Sequence, residues 1–76
     1  MEINLTLHGI LRDYLPRKQK GKTTLTLAEG TTVADIVTQL KIKQNVSAAI
    51  DGNTVAKDYA LQDGQHLNLF RLIAGG

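Results

Sequence analysis

Seventy-six residues bound this chain to one domain, and a composition that is 42% apolar and 21% charged excludes wholesale disorder. No cysteine is present and the two histidines, His8 and His66, are far apart, so a disulfide framework and a zinc site of the usual cysteine or paired-histidine spacing are excluded. Nine basic residues against seven acidic ones give a net charge of +2, too weak a field to imply nucleic acid by itself.

No apolar run approaches the roughly 18 residues of a membrane span. The opening residues show neither the basic start nor the apolar stretch of a signal peptide, and the expectation is a cytosolic protein. Without thiol or metal staples, a domain of this size must stand on one compact core.

Residues 2–8 alternate. Ile3, Leu5 and Leu7 point one way, and Asn4, Thr6 and His8 the other, which predicts a half-buried strand ended by Gly9. Ile10, Leu11, Tyr14 and Leu15 then follow a near-helical spacing cut short by Pro16, which predicts a short helical turn. Arg12, Arg17, Lys18, Lys20 and Lys22 gather five of the nine positive charges in this stretch. Its simplest reading is a solvated loop kept polar between two strands; the alternative is a contact surface for an acidic partner. Tyr14 is the only aromatic residue interleaved there, so the stacking platforms of a single-strand binder are missing. Alternation resumes over 22–28 through Leu25 and Leu27.

Glu29-Gly30 marks a turn. Thr32 is placed to cap a helix, with Asp35 as the reciprocal member of a capping box. Val33, Ile36, Val37 and Leu40 fall at i, i+3, i+4 and i+7, so a helix over 32–41 presents one apolar face to a sheet. Val46, Ala48 and Ile50 alternate again. Asp51-Gly52 is a two-residue hairpin signal, and Val55 lies on the return strand. Tyr59 and Leu61 are isolated anchors in a loop, and Asp63-Gly64 marks a second turn. The last strand, over 66–72, has Leu67 and Leu69 on one face and His66, Asn68, Phe70 and Leu72 on the other. This order predicts an α+β domain, with one main helix packed on a mixed sheet of four to five strands. The first and last strands alternate best and are expected side by side and parallel at the sheet centre.

The chain ends Arg71-Leu72-Ile73-Ala74-Gly75-Gly76. Fully extended, residues 71–76 reach about 20 Å at most. A frayed terminus would read the same way, but this one directly follows a strand that ends Phe-Arg-Leu-Ile. Phe70 is out of phase with Leu67 and Leu69 and would sit beside Ser47 and Ala49. With Arg71, Leu72 and Ile73 it forms a candidate docking patch. The alternative is a sheet face covered by the rest of the domain. His8 and His66 read as surface polar positions rather than an acid–base pair. Asp13, Asp35, Asp51, Asp58 and Asp63 all have turn or cap explanations. With no nucleophile–base constellation, phosphate loop or metal motif, the chain does not read as an autonomous enzyme.

The opening strand Ile3–Leu7, the segment LAEGTTVADIVTQL, the hairpin AAIDGNTV, the turn LQDG and the ending LNLFRLIAGG together resemble the small ubiquitin-like sulfur carriers. This is the family of the molybdopterin synthase small subunit and the thiamin sulfur carrier. The resemblance covers essentially the whole chain. It implies a β-grasp domain over 1–70 and a flexible tail over 71–76. It further implies that Gly76 is the reacting residue. A partner enzyme of the ubiquitin-activating type adenylates its carboxylate with ATP, and a persulfide sulfur replaces AMP to leave a thiocarboxylate. A second partner then takes the sulfur for cofactor synthesis.

The implied partners are thus the adenylating enzyme, a sulfur donor protein and a sulfur-accepting synthase subunit, with no nucleic acid and no membrane. No cofactor is bound, because the ATP belongs to the activating partner, and no metal is needed. The residue types suit this chemistry. A free α-carboxyl is ionised at neutral pH. Gly76 has no side chain to crowd its carbonyl carbon, and Gly75 and Ala74 let the tail thread a narrow channel. Ile73 before Ala-Gly-Gly looks more like the thiamin carrier, whereas LRDYLP and the basic loop look more like the molybdopterin side. Both pathways stay open. So do a protein modifier joined to lysine through Gly76, and a non-covalent binding module that uses the basic loop.

Overall fold

Strand β1 (Glu2–Leu7) turns Ile3, Leu5 and Leu7 into the core, as its alternation predicts, in a computed structural model that describes residues 1–72. Four more strands complete one sheet: β2 (Lys22–Thr26), β3 (Val46–Ile50), β4 (Asn53–Val55) and β5 (His66–Arg71). The order is β2-β1-β5-β3-β4. β1 and β5 run parallel, with Leu5 opposite Leu67 and Leu7 opposite Leu69. β3 lies antiparallel on the far side of β5, with Ala48 opposite Leu69 and Ile50 opposite Leu67. The two strands of best alternation are therefore neighbours, and β5 is the middle strand. The outer hairpin turns through Asp51 and Gly52, at φ of 51° and 84°, where a two-residue loop needs the left-handed region.

Helix α1 (Val33–Gln39) contributes Val33 and Ile36 to the same core as the sheet. Its start is the capping box read from the sequence. Asp35 N donates to Thr32 Oγ1 at 3.2 Å, and Thr32 N donates to Asp35 Oδ2 at 2.9 Å. Two further donors of the first turn reach the 57–61 loop: Val33 N to Tyr59 O and Ala34 N to Lys57 O. The loop anchors Tyr59 and Leu61 thus serve to close the helix start, with Leu61 buried.

The helix is shorter than the expected 32–41. Lys41 takes φ of 59°, its N–H donates to Thr38 O, and Ile42 N donates to Val37 O. This is a Schellman ending with lysine in the position that glycine usually fills. The short helical turn before Pro16 is a 3-10 helix, Gly9–Tyr14, followed by a second 3-10 turn, Arg17–Gln19.

Candidate functional site

Because β1 and β5 are parallel, both deliver their C-terminal ends to one edge of the sheet. His8 N donates to Leu69 O at 3.1 Å, which locks the two ends together. Arg71 still pairs with Val46, and Leu72 N donates to Asn45 O at 2.8 Å. Backbone pairing thus runs two residues past the tail boundary expected at 71, because β3 and the residue before it supply the partners. Arg71 and Leu72 are exposed. Ile73, Ala74, Gly75 and Gly76, the expected docking, threading and reacting residues, lie outside the described residues.

The outer face of the central strands carries a row of cross-strand polar contacts. Thr24 Oγ1 donates to Asn4 Oδ1 at 3.1 Å, and Thr6 Oγ1 and His66 Nε2 share a bond of 2.7 Å. His8 Nε2 donates to Asn68 Oδ1 at 3.0 Å. The histidines therefore have separate partners and do not form an acid–base pair. Thr6 keeps the outward direction read from the sequence, yet it is only 8% exposed. A strand flanked on both sides has its outer face shaded by its neighbours' side chains.

Phe70 lies at the end of this row, opposite Ser47 as expected. Its ring stacks on His8, with centroids 4.4 Å apart and planes 9° from parallel. That contact was not foreseen. The signal for it is the β1–β5 register, which one residue beyond Leu7 and Leu69 brings His8 beside Phe70.

Even so stacked, Phe70 is 40% exposed, and Leu72 is 54% exposed. Ile10, at 47%, is the third exposed large apolar side chain at this end. The near-helical spacing of Ile10, Leu11, Tyr14 and Leu15 predicts a turn there without saying which of them is buried. Gly9 at φ of 59° starts a 3-10 helix, and Leu11 takes the buried place. Uncovered apolar side chains at the end of a central strand favour docking to another surface.

Among the described residues, no group of three or more His, Cys, Asp or Glu is arranged to hold a metal. No helix among them is long and apolar enough to cross a membrane.

The family model described as the ThiS family matches residues 9–76. Among solved structures, the HVO 2177 protein of Haloferax volcanii superposes with a TM-score of 0.77 at 21% identity, over 100% of this chain and 87% of that one. Small archaeal modifier protein 1 of H. volcanii gives 0.73 at 15% identity, over 95% and 98% of the two chains. The complex of subunits 1 and 2 of molybdopterin-converting factor from Helicobacter pylori 26695 gives 0.62 at 13% identity, over 100% of both. No curated protein matches the chain in sequence. At these identities the likeness is one of fold: five mixed strands with one main helix, the β-grasp that the sequence leads one to expect.

Proposed function

The chain belongs to the ThiS family, and from that membership we propose that it is a sulfur carrier charged at the carboxylate of Gly76. In this reading the chain is a substrate rather than a catalyst. A carboxylate oxygen of Gly76 attacks the α-phosphorus of ATP in an adenylating partner, and pyrophosphate leaves. The terminal sulfur of a persulfide on the donor protein then attacks the acyl carbon, and AMP leaves. A thiol cleaves the resulting S–S bond, and the thiocarboxylate passes its sulfur to a synthase subunit for molybdopterin or thiamin synthesis. Phe70, Arg71, Leu72 and Ile73 dock the body on the partner, while Ala74 and Gly75 thread its channel. Such a carrier works in the cytoplasm among soluble enzymes, and ATP is consumed by the activating partner as its co-substrate.

The observation that carries this reading is the course of β5. The middle strand of the sheet leads toward Ala74-Gly75-Gly76 and leaves Phe70 and Leu72 uncovered as it does so. A synthase partner is further supported by the likeness to a structure in which subunits 1 and 2 of molybdopterin-converting factor form a complex.

Intact mass spectrometry of the protein from its own cells tests the proposal. It expects one oxygen replaced by sulfur at the C-terminus, and loss of all charging when Gly76 is deleted. A terminus that stays a plain carboxylate while sulfur-containing cofactor is being made would overturn it.

The likeness to small archaeal modifier protein 1 supports a second reading, conjugation of Gly76 to lysine. Its signature is branched peptides with a Gly-Gly remnant on lysine, which the carrier reading does not produce.

A further inference from the structure

The basic stretch between β1 and β2 is more ordered than its composition suggests. Gly21 is buried at φ of 77°, and a Cβ there would lie 2.7 Å from both the Leu7 carbonyl oxygen and Arg12 Cγ. Leu7 N donates to Gly21 O at 2.7 Å. The loop is thus pressed onto the end of β1 and against the stem of Arg12, a closeness open only to glycine. Just before it, Lys20 takes the left-handed conformation and closes the second 3-10 turn by donating from its N–H to Arg17 O.

These two turns enclose a recess of about 320 Å³ lined by Gly9, Arg12, Asp13, Arg17, Lys20 and Gly21. Three cations share it with one carboxylate. Among the described residues, no side-chain hydrogen bond engages any of these four charged groups.

The recess opens two residues beyond the end of β1. Since β1 and β5 run parallel, it lies at the same edge of the sheet as Phe70 and Leu72.

We propose that this recess docks an acidic segment of a protein partner, whose Asp and Glu carboxylates are held by Arg12, Arg17 and Lys20. Arginine forks suit carboxylates because they offer two parallel N–H donors. Asp13 in the same lining disfavours a compact dianion such as phosphate. A polypeptide carrying both signs of charge can instead present carboxylates to the cations and a lysine or arginine to Asp13. Attraction of this kind steers encounter and fixes orientation before the tail is engaged. The choice of a protein as occupant rests on the reading above that this end is handed to another polypeptide; the cationic recess does not depend on it.

The test is an amide NMR titration of the full chain with hexaglutamate, and separately with inorganic phosphate, at about 0.05 M and about 0.3 M salt. Hexaglutamate is expected to shift Gly9, Arg12, Asp13, Arg17, Lys20 and Gly21, and higher salt to suppress those shifts. The double variant Arg17→Glu with Lys20→Glu is expected to bind at least about tenfold more weakly. Both side chains are exposed, so the rest of the spectrum reports an intact fold. Shifts scattered over the molecule, unchanged affinity in the folded double variant, or phosphate acting as strongly as hexaglutamate would each overturn the proposal. The titration uses no activating enzyme, so failure of the recess and failure of Gly76 charging are read separately.

Discussion

The two faces of β1 and β5 are built from the same strands in the same register, yet different forces hold them. On the inner face, Ile3, Leu5, Leu7, Leu67 and Leu69 are fully buried and bound by apolar burial and close packing. On the outer face, Thr6, His8, His66, Asn68 and Phe70 are joined by single hydrogen bonds and one ring stack. Each such hydrogen bond is worth about 1 kcal/mol net. The comparison teaches that a period of two separates stability from availability. One side of each strand secures the fold, and the other is left for contacts. A register slip of one residue would exchange the two roles, which is why a hydrophobic inner row is such a strict constraint.

The sharpest way to break this comparison is Leu69→Ala. It removes a fully buried side chain at the meeting point of β1, β3 and β5, and should cost about 2–5 kcal/mol in urea unfolding. A loss no larger than that of an outer-face substitution would erase the distinction between the faces.

Gly21→Ala belongs to neither face and should rank next, at about 1–3 kcal/mol, because the added methyl meets backbone at 2.7 Å in a left-handed conformation. Thermal unfolding that matches the parent would show that the loop yields freely, and the recess with it. Thr32→Ala tests the helix that covers the inner face. Losing one side of the capping box should cost about 1 kcal/mol, seen as a lower urea midpoint with unchanged slope.

Phe70→Ala should have the smallest effect on folding, below about 1 kcal/mol, since the ring is 40% exposed and loses mainly its stack on His8. Its effect should appear in binding instead. Affinity for the proposed adenylating partner is expected to fall by more than about 1 kcal/mol, and equal affinity by calorimetry would remove Phe70 from the docking patch.

Local signals were the most legible in the sequence. The capping box of Thr32 and Asp35 spans four residues and could be read directly, as could the Asp51-Gly52 hairpin. The helix end was harder to see. Lys41 occupies a left-handed position that advertises itself only when it is glycine, so apolar spacing carried the expected helix to 41. Ile10 and Leu11 show a similar limit. Their spacing alone does not say which of the two faces the core, and in the 3-10 helix that follows Gly9 it is Leu11. The His8–Phe70 stack joins residues from opposite ends of the chain, and the basic recess needs Gly21 pressed against Arg12. Neither arrangement exists in any window of sequence.

Alternation, caps and turn residues by themselves determined the strands, the helix, their order and the inward rows of leucine and isoleucine, because each of these depends on neighbours a few positions apart. Family membership was likewise carried by the order of short motifs along the chain. Only the tertiary structure decided that Thr6 would be shaded, that His8 would stack on Phe70, and that Phe70, Leu72 and Ile10 would share one edge with a cationic recess. Those outcomes follow from parallel pairing of the first strand with the last. That pairing joins residues about sixty positions apart, and a sheet pairing at such separation is settled by packing the whole core at once.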